Sequence, residues 1–440
     1  MKIATTLLSA VALTSALPSS QAPSDLAKRS TDIFDIADKA TGAFVSVLEA
    51  LADKTESIAK KTIKKSHNKA APFVGWNSFK SNGVDLGGWL SQEKGIDPAF
   101  FDDNGASAAI DEDSFCAVLG QKKCGKLLEQ RYKEFITEDD IDIFASYGVN
   151  LVRVPLGYWA FMPAIKGDNY YTGKQLHYLS KIAKHAISKG MHVIVDLHGL
   201  PGGQSGLDNQ GKTNQIDWWH NSTHMDQTLN LVGLATDFIL AQSNSNQFTL
   251  SIINEPLPAL YYFGQTDESM EYLNDFYGAA LDLVRKKSAT IPVMLADGFV
   301  GPQTWEKFPR WVHNKENIVF DAHIYFFTGG SYSYDAPYSA CYLAKSYQVA
   351  TNPVFIGEWS IQASNFNSAD VQQRKLFFQS QFNAYNTYLS GGAVWNGKHR
   401  GAVVVGDDGS KQPEYWGWQT MAAEGVVPKV GEELIAATCE

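Results

Sequence analysis

Two glutamates stand in contexts where a carboxylate can do chemistry: Glu255 in Asn254-Glu255-Pro256 and Glu358 in Gly357-Glu358-Trp359-Ser360. Arg153, His198, His323, Tyr325 and Trp395 fall at comparable places along the chain. Two carboxylates facing each other across a cleft can hydrolyse a glycosidic bond, one as general acid/base and one as nucleophile, if their environments differ. The acid must be protonated at working pH, so its surroundings should raise its pKa. The nucleophile must stay ionised, so hydrogen bonds and positive charge should favour its anion. Arg153 and Tyr325 suit Glu358 in that role. Asn254 suits a bond to a sugar 2-hydroxyl, and Trp395 offers a flat apolar face for the ring held beside the carboxylates. Taken singly, each has a packing explanation: a structural ion pair for Arg153, satisfied core histidines for His198 and His323, a turn at Asn254-Glu255-Pro256, a paired surface acid for Glu358. Taken together, one such side chain at the end of six of eight expected strands is hard to assign to packing.

Those strands are short apolar, β-rich runs recurring from about residue 80: 83–87, 150–155, 192–197, 248–253, 292–296, 317–321, 353–357 and 392–395. Apolar on both faces, they suit parallel strands covered by helices. Helical periodicity between them, as in 176–189, 226–242, 270–286 and 370–389, predicts an α/β fold. Eight β–α alternations predict a (β/α)8 barrel, with a doubly wound open sheet as the alternative. Catalytic groups of such barrels project from the C-terminal ends of the strands, where the polar residues above fall.

Upstream of the barrel the chain reads as processing signals. Residues 1–17 carry one lysine, an apolar stretch and small residues, the pattern of a secretory signal peptide. Lys28-Arg29 reads as a dibasic processing site or an ordinary exposed pair. Residues 31–65 place Ile33, Ile36, Ala40, Phe44, Val47 and Leu51 at helical spacing before a lysine-rich end. Residues 18–70 are thus a pro-segment or helical spacer, and 71–440 the barrel. The 440 residues carry 37 Lys+Arg against 47 Asp+Glu, a net charge of −10, which excludes a nucleic-acid binder that works by displacing counterions. The first apolar run is too short to span a bilayer and no lipid-anchor tail follows at the C-terminus, so no membrane partner is expected. Four cysteines fit an oxidising compartment, with Cys116–Cys124 and Cys341–Cys439 the favoured pairing among three. Asn221-Ser222-Thr223 is an N-glycosylation sequon, expected on an exposed loop.

Other signals carry less. His220 and His224 lie four apart but lack the glutamate of a zinc motif, and no metal or other cofactor is expected. Gly199-Leu-Pro-Gly-Gly-Gln-Ser-Gly206 lacks the lysine of a phosphate loop and reads as backbone that approaches a sugar. Glu138, Asp139, Asp140 and Asp142 mark a helix start capped by Thr137 rather than a calcium site.

At these residues the chain resembles glycoside hydrolase family 5, in particular the fungal glucan 1,3-β-glucosidase group, from about Gly83 to the C-terminus. The resemblance rests on Gly83-Val-Asp-Leu-Gly-Gly-Trp-Leu90, Phe135-Ile-Thr-Glu-Asp-Asp140, Asn150-Leu-Val-Arg-Val-Pro-Leu-Gly-Tyr-Trp159, the stretch from Asp196 to Asn209, Asn254-Glu255-Pro256, His323-Ile-Tyr325 and Gly357-Glu358-Trp359-Ser360. It implies Glu255 as general acid/base, Glu358 as nucleophile, retention of configuration, and Arg153, His198, Asn254, His323, Tyr325 and Trp395 as pocket residues. It further implies action on β-glucan or a β-glucoside; the signal-peptide pattern makes the enzyme a secreted one, expected to be a monomer. Three departures concern the substrate: Trp395-Asn-Gly-Lys398 lacks the group's second tryptophan, the segment from Glu358 to Trp395 is short, and Gly-Gly-Trp-Leu continues into the polar Ser91-Gln-Glu-Lys94. A β-1,6-glucanase, a diglycosidase acting on rutinosides, or a non-catalytic cell-wall carbohydrate-binding protein are the alternatives.

Overall fold

A computed structural model describes residues 73, 75–308, 316–328, 335–364, 366–368, 370–406 and 408–437. The expected signal peptide, the leader and Cys439 lie outside them. Eight strands form a closed, wholly parallel barrel in chain order: β1 (Ser81–Asp85), β2 (Leu151–Gly157), β3 (His192–Gly199), β4 (Phe248–Ser251), β5 (Val293–Ala296), β6 (Ile318–Phe326), β7 (Val354–Ala363) and β8 (Gly391–Val394), with β8 paired back onto β1. The (β/α)8 expectation holds. Each expected strand is present, while β6 and β7 run well past their expected ends.

Four helices follow β1: α1 (Pro98–Asp102), α2 (Glu112–Leu119), α3 (Gln121–Glu134) and α4 (Glu138–Ser146). The Cys116–Cys124 disulfide links α2 to α3. Thr137 caps α4 in a reciprocal box with Asp140, as the acidic cluster predicted. The later helices are α5 (Gln175–Ser188), α6 (Ser222–Leu240), α7 (Asp267–Lys287), α8 (Ala336–Tyr347) and α9 (Val371–Tyr388), with short α10 (Pro413–Trp416) and α11 (Trp418–Ala423) after β8. Asn221 does not lie in an open loop: it is the N-cap of α6, its side chain accepting from the amides of Thr223 and His224. None of the described helices is long and apolar enough to cross a membrane.

The two-residue period of a strand sorts side chains between the helix-facing shell and the barrel interior. On β3, Val193, Val195 and Leu197 join the large outer core, while Ile194 joins a separate cluster with Leu151, Met294, Val319, Phe355 and Ala393. The same parity carries His192, Asp196 and His198 inward on β3, Arg153 inward on β2, and Asp321, His323 and Tyr325 inward on β6. Apolar residues fill the lower layers and polar ones the top. Phe73, Trp76 and Phe79 close the floor, Phe73 stacking on His192 at 3.8 Å and Trp76 donating through its indole N–H to Thr249 at 2.9 Å. Burial pushes the His192 imidazole down to about 3, so it is neutral and bonds Thr249 at 2.7 Å.

Candidate active site

Parity alone would send Glu358 outward, because Phe355 on the same strand points in. The register between β6 and β7 jumps from Ala322 opposite Ile356 to His323 opposite Glu358. Gly357 is the extra residue of this bulge, which re-aims the carboxylate into the barrel. Glycine is needed there, since a Cβ would lie 1.9 Å from the Asp321 carboxylate. Gly87 similarly leaves room for the Trp395 indole, which a Cβ would meet at 2.6 Å. The Trp395 ring lies nearly parallel to His198, with centroids 5.6 Å apart.

Arg153 is the hub. Its guanidinium donates to Glu358 at 2.8 Å and to Asn254 at 2.8 Å, and pairs with Asp85 at 3.1 Å, Asp196 at 3.2 Å and Asp321 at 3.7 Å. It is fully buried, and burial alone would lower its pKa, but the surrounding carboxylates outweigh that and raise it. Asp196 is opposed by burial yet held below its usual value by Arg153 and by His198, which it bonds at 2.7 Å. Asp85 goes the other way: burial, with the Glu358 charge, lifts it well above the ordinary range against the pull of Arg153.

The second oxygen of Glu358 accepts from the Tyr325 hydroxyl at 2.9 Å. Burial and the nearby glutamates keep that phenol protonated by pushing its pKa well above 10. Glu255 has a different set of partners, His323 Nδ1 at 2.9 Å and the Asn209 amide at 2.6 Å. Its backbone is left-handed, φ 42°, an unusual conformation for a non-glycine residue. Oxygens of Glu255 and Glu358 and a nitrogen of His323 all lie within 4.8 Å of one another. The three could ligate a metal ion, although the Arg153 cation beside Glu358 opposes one.

The protonation pattern differs from the sequence expectation. Burial works to raise Glu255, but the hydrogen bond and positive charge of His323, together with His198 and Asn209, hold it below its usual value. Burial would likewise neutralise His323, yet Glu358, Asp321 and Glu255 raise it well above 6.5. In the free site the proton therefore rests on His323, one hydrogen bond from the expected acid.

All eight side chains singled out from the sequence come together around this cluster. Several others in it were not singled out. Asp85, Asp196 and Asp321 lay inside quoted strand motifs, and their signal was an acid within an apolar run. Asn209 ended the β3 motif. Glu93, in the loop after β1, is raised well above its usual value by burial and then by the charges of Asp208, Glu358, Glu255 and Asp85. Conversely, Trp89, Trp159 and Trp359, near strand-end motifs, are core residues at 0%, 0% and 2% exposure.

The sequence profile of Cellulase (glycosyl hydrolase family 5) matches residues 116–399. The chain belongs to glycosyl hydrolase family 5. Within this family it is similar to a probable glucan 1,3-beta-glucosidase A of Emericella nidulans, 36% identical over 286 residues, which is 64% of this chain and 67% of the relative. It is also similar to glucan 1,3-beta-glucosidase 1 of Schizosaccharomyces pombe, 33% identical over 288 residues, 65% of this chain and 67% of the relative. The match spans about two thirds of the length of such relatives, down to 64% in Aspergillus fumigatus. Among solved structures, rutinosidase from Aspergillus niger superposes with a TM-score of 0.75 at 34% identity, covering 81% of this chain and 99% of its own.

Proposed function

We propose that this family 5 member is a retaining β-glycosidase working by double displacement, with Glu358 as nucleophile and Glu255 as general acid/base. The observation that carries the reading is the approach of Glu255 and Glu358 oxygens to within 4.8 Å. That leaves no room for the water that inverting pairs, about 6.5–9.5 Å apart, place between their carboxyls. Glu358, oriented at both oxygens by Arg153 and Tyr325, attacks the anomeric carbon. His323 passes its proton to Glu255 along their hydrogen bond, and the bond to the departing oxygen breaks as that oxygen takes this proton, leaving Glu255 ionised. Water then cleaves the glycosyl ester and returns a proton to Glu255. Asn254 and Glu93 accept or donate at ring hydroxyls, and Trp395 supports the ring face.

Two substrate readings follow from the relatives. The glucan 1,3-beta-glucosidases support exo-release of glucose from β-glucan. The likeness to rutinosidase over nearly the whole of that chain favours a diglycosidase. The leader pattern and the Cys116–Cys124 bond support a secreted protein, with the barrel as residues 71–440, acting as a monomer and glycosylated at Asn221. The test is product analysis on laminarin, pustulan and rutin, with NMR of the first anomer formed. A β-anomer is expected, and Glu358→Ala and Glu255→Gln should each cut turnover by at least about 10²–10⁴-fold. An α-anomer, or turnover surviving in Glu358→Ala, refutes the mechanism. Disaccharide from rutin selects the diglycosidase, and glucose alone from laminarin selects the glucanase.

A further inference from the structure

Glu112 opens α2 with its side chain fully buried, yet no step of the chemistry above uses it. Its two oxygens are engaged by two N–H groups: Oε2 accepts from the Gln92 amide at 2.7 Å and Oε1 from the Trp159 indole at 2.8 Å. Neither partner is a cation, and Asp111 and Asp113 add like charge. Burial, reinforced by those neighbours, pushes its pKa up to about 8. A carboxyl so placed costs stability, and what it secures is a fixed arrangement of the groups that bond it. Gln92 lies in the loop after β1. Trp159, just past β2, stacks on Tyr170 at 3.7 Å and lies against Gly211, where a Cβ would meet its ring at 2.4 Å. The same end of α2 grips the Gly211 segment directly. The Asp113 amide donates to the Gly211 carbonyl at 3.0 Å, and the Asp111 carboxylate accepts from the Thr213 amide at 2.7 Å. Gly211 closes the short turn Asp208–Gln210, whose middle residue, Asn209, donates to Glu255 at 2.6 Å.

We propose that Glu112 is a positioning residue for the acid/base: through the Trp159 indole, and with Asp111 beside it, it fixes the turn that holds Asn209 against Glu255. The inference deepens the glycosidase reading and rests on Glu255 as proton donor. Glu255 is held at one oxygen by His323 and at the other by Asn209, so a displaced Asn209 leaves the carboxyl gripped on one side only. Proton transfer to the departing oxygen requires hydrogen-bond contact, and a misplacement of about 1 Å can cost about 10²-fold. The nucleophile is spared, since Glu358 keeps Arg153 and Tyr325. The defect is therefore confined to leaving groups that need a proton.

The test compares leaving groups on the full-length protein and its Glu112→Leu variant, which keeps most of the volume and removes both acceptors. Dinitrophenyl β-glycosides release a stabilised anion and need no acid, whereas phenyl β-glycosides do; both are offered as glucosides and as rutinosides. The readout is kcat/KM for the phenyl substrate divided by that for the dinitrophenyl one, a ratio that a smaller folded fraction does not move. It should fall about tenfold in Glu112→Leu; a fall of at least about threefold supports the proposal and a smaller one overturns it. If that variant does not fold, Asp111→Asn decides by the same threshold, because it strips the Thr213 amide of its acceptor and leaves an oxygen for the Ser114 amide. Glu255→Gln, run alongside, separates this inference from the reading beneath it. A ratio that collapses in Glu255→Gln but stays put in Glu112→Leu defeats the positioning role alone. A ratio unmoved in Glu255→Gln defeats the acid/base assignment and the positioning role with it.

Discussion

Replacing Arg153 by methionine tests the electrostatic hub directly. The guanidinium is fully buried among Asp85, Asp196, Asp321 and Glu358, of which Asp85 and Asp196 have side chains at 0% exposure. Methionine preserves much of the volume and removes the only charge on that side chain. Breaking a buried ion pair by deleting one partner costs about 3–5 kcal/mol, because the other charge is left without compensation. With several carboxylates bereft at once, the upper part of that range is expected near neutral pH. The loss should depend on pH with a definite sign. In the wild type Asp196 is held below its ordinary 3.8, chiefly by Arg153 acting against burial. Its stabilising contribution is therefore present above about 3.8 and lost only as pH falls through its depressed folded value. In Arg153→Met, burial dominates and the folded carboxylates bind protons more tightly than the unfolded chain, so the variant gains on the wild type as pH falls from about 7 to about 4. Guanidinium unfolding followed by tryptophan fluorescence at both pH values measures the gap. A loss below about 1 kcal/mol near neutrality, or a gap that does not narrow in acid, refutes the account.

Two further outcomes follow from the same geometry. His323→Gln removes the residue on which the shared proton rests, so the proton must sit on Glu255, and the basic limb of the kcat/KM profile should move to lower pH; an unmoved limb would show that His323 does not set it. Thr137→Ala removes the cap of α4, whose Asp140 partner also holds Lys398 at 2.8 Å, and should cost about 1 kcal/mol in chemical denaturation.

The strands, their order and the two glutamates were legible because each depends on local pattern: apolar runs of strand length, helical periodicity between them, and polar residues where the runs stop. The nest around Arg153 was not. Asp85, Asp196 and Asp321 sit on β1, β3 and β6, and their convergence depends on closure and register, which no window of sequence contains. The inward aim of Glu358 also depends on register, since it follows from a bulge at Gly357 rather than from parity. Glu93 lay in a polar stretch read only as a departure from the family. The expected high pKa of Glu255 failed for a related reason: burial does raise it, but the charge of His323, contributed by a strand two places on, outweighs burial.

The aromatic floor sets a limit on how much of the chain could be trimmed. Phe73, Trp76 and Phe79 are as much a part of the barrel as any strand, since Trp76 packs on Phe355 of β7 at 5.2 Å and bonds Thr249 of β4. A protease that trims the chain at Lys28-Arg29, or anywhere upstream of Phe73, leaves that plug intact. A cut a few residues further on would open the barrel from below, at the end opposite its chemistry, and expose a neutral histidine and an apolar shaft to water. Any trimming of the chain from its N-terminal side is therefore bounded by the packing of Phe73, Trp76 and Phe79.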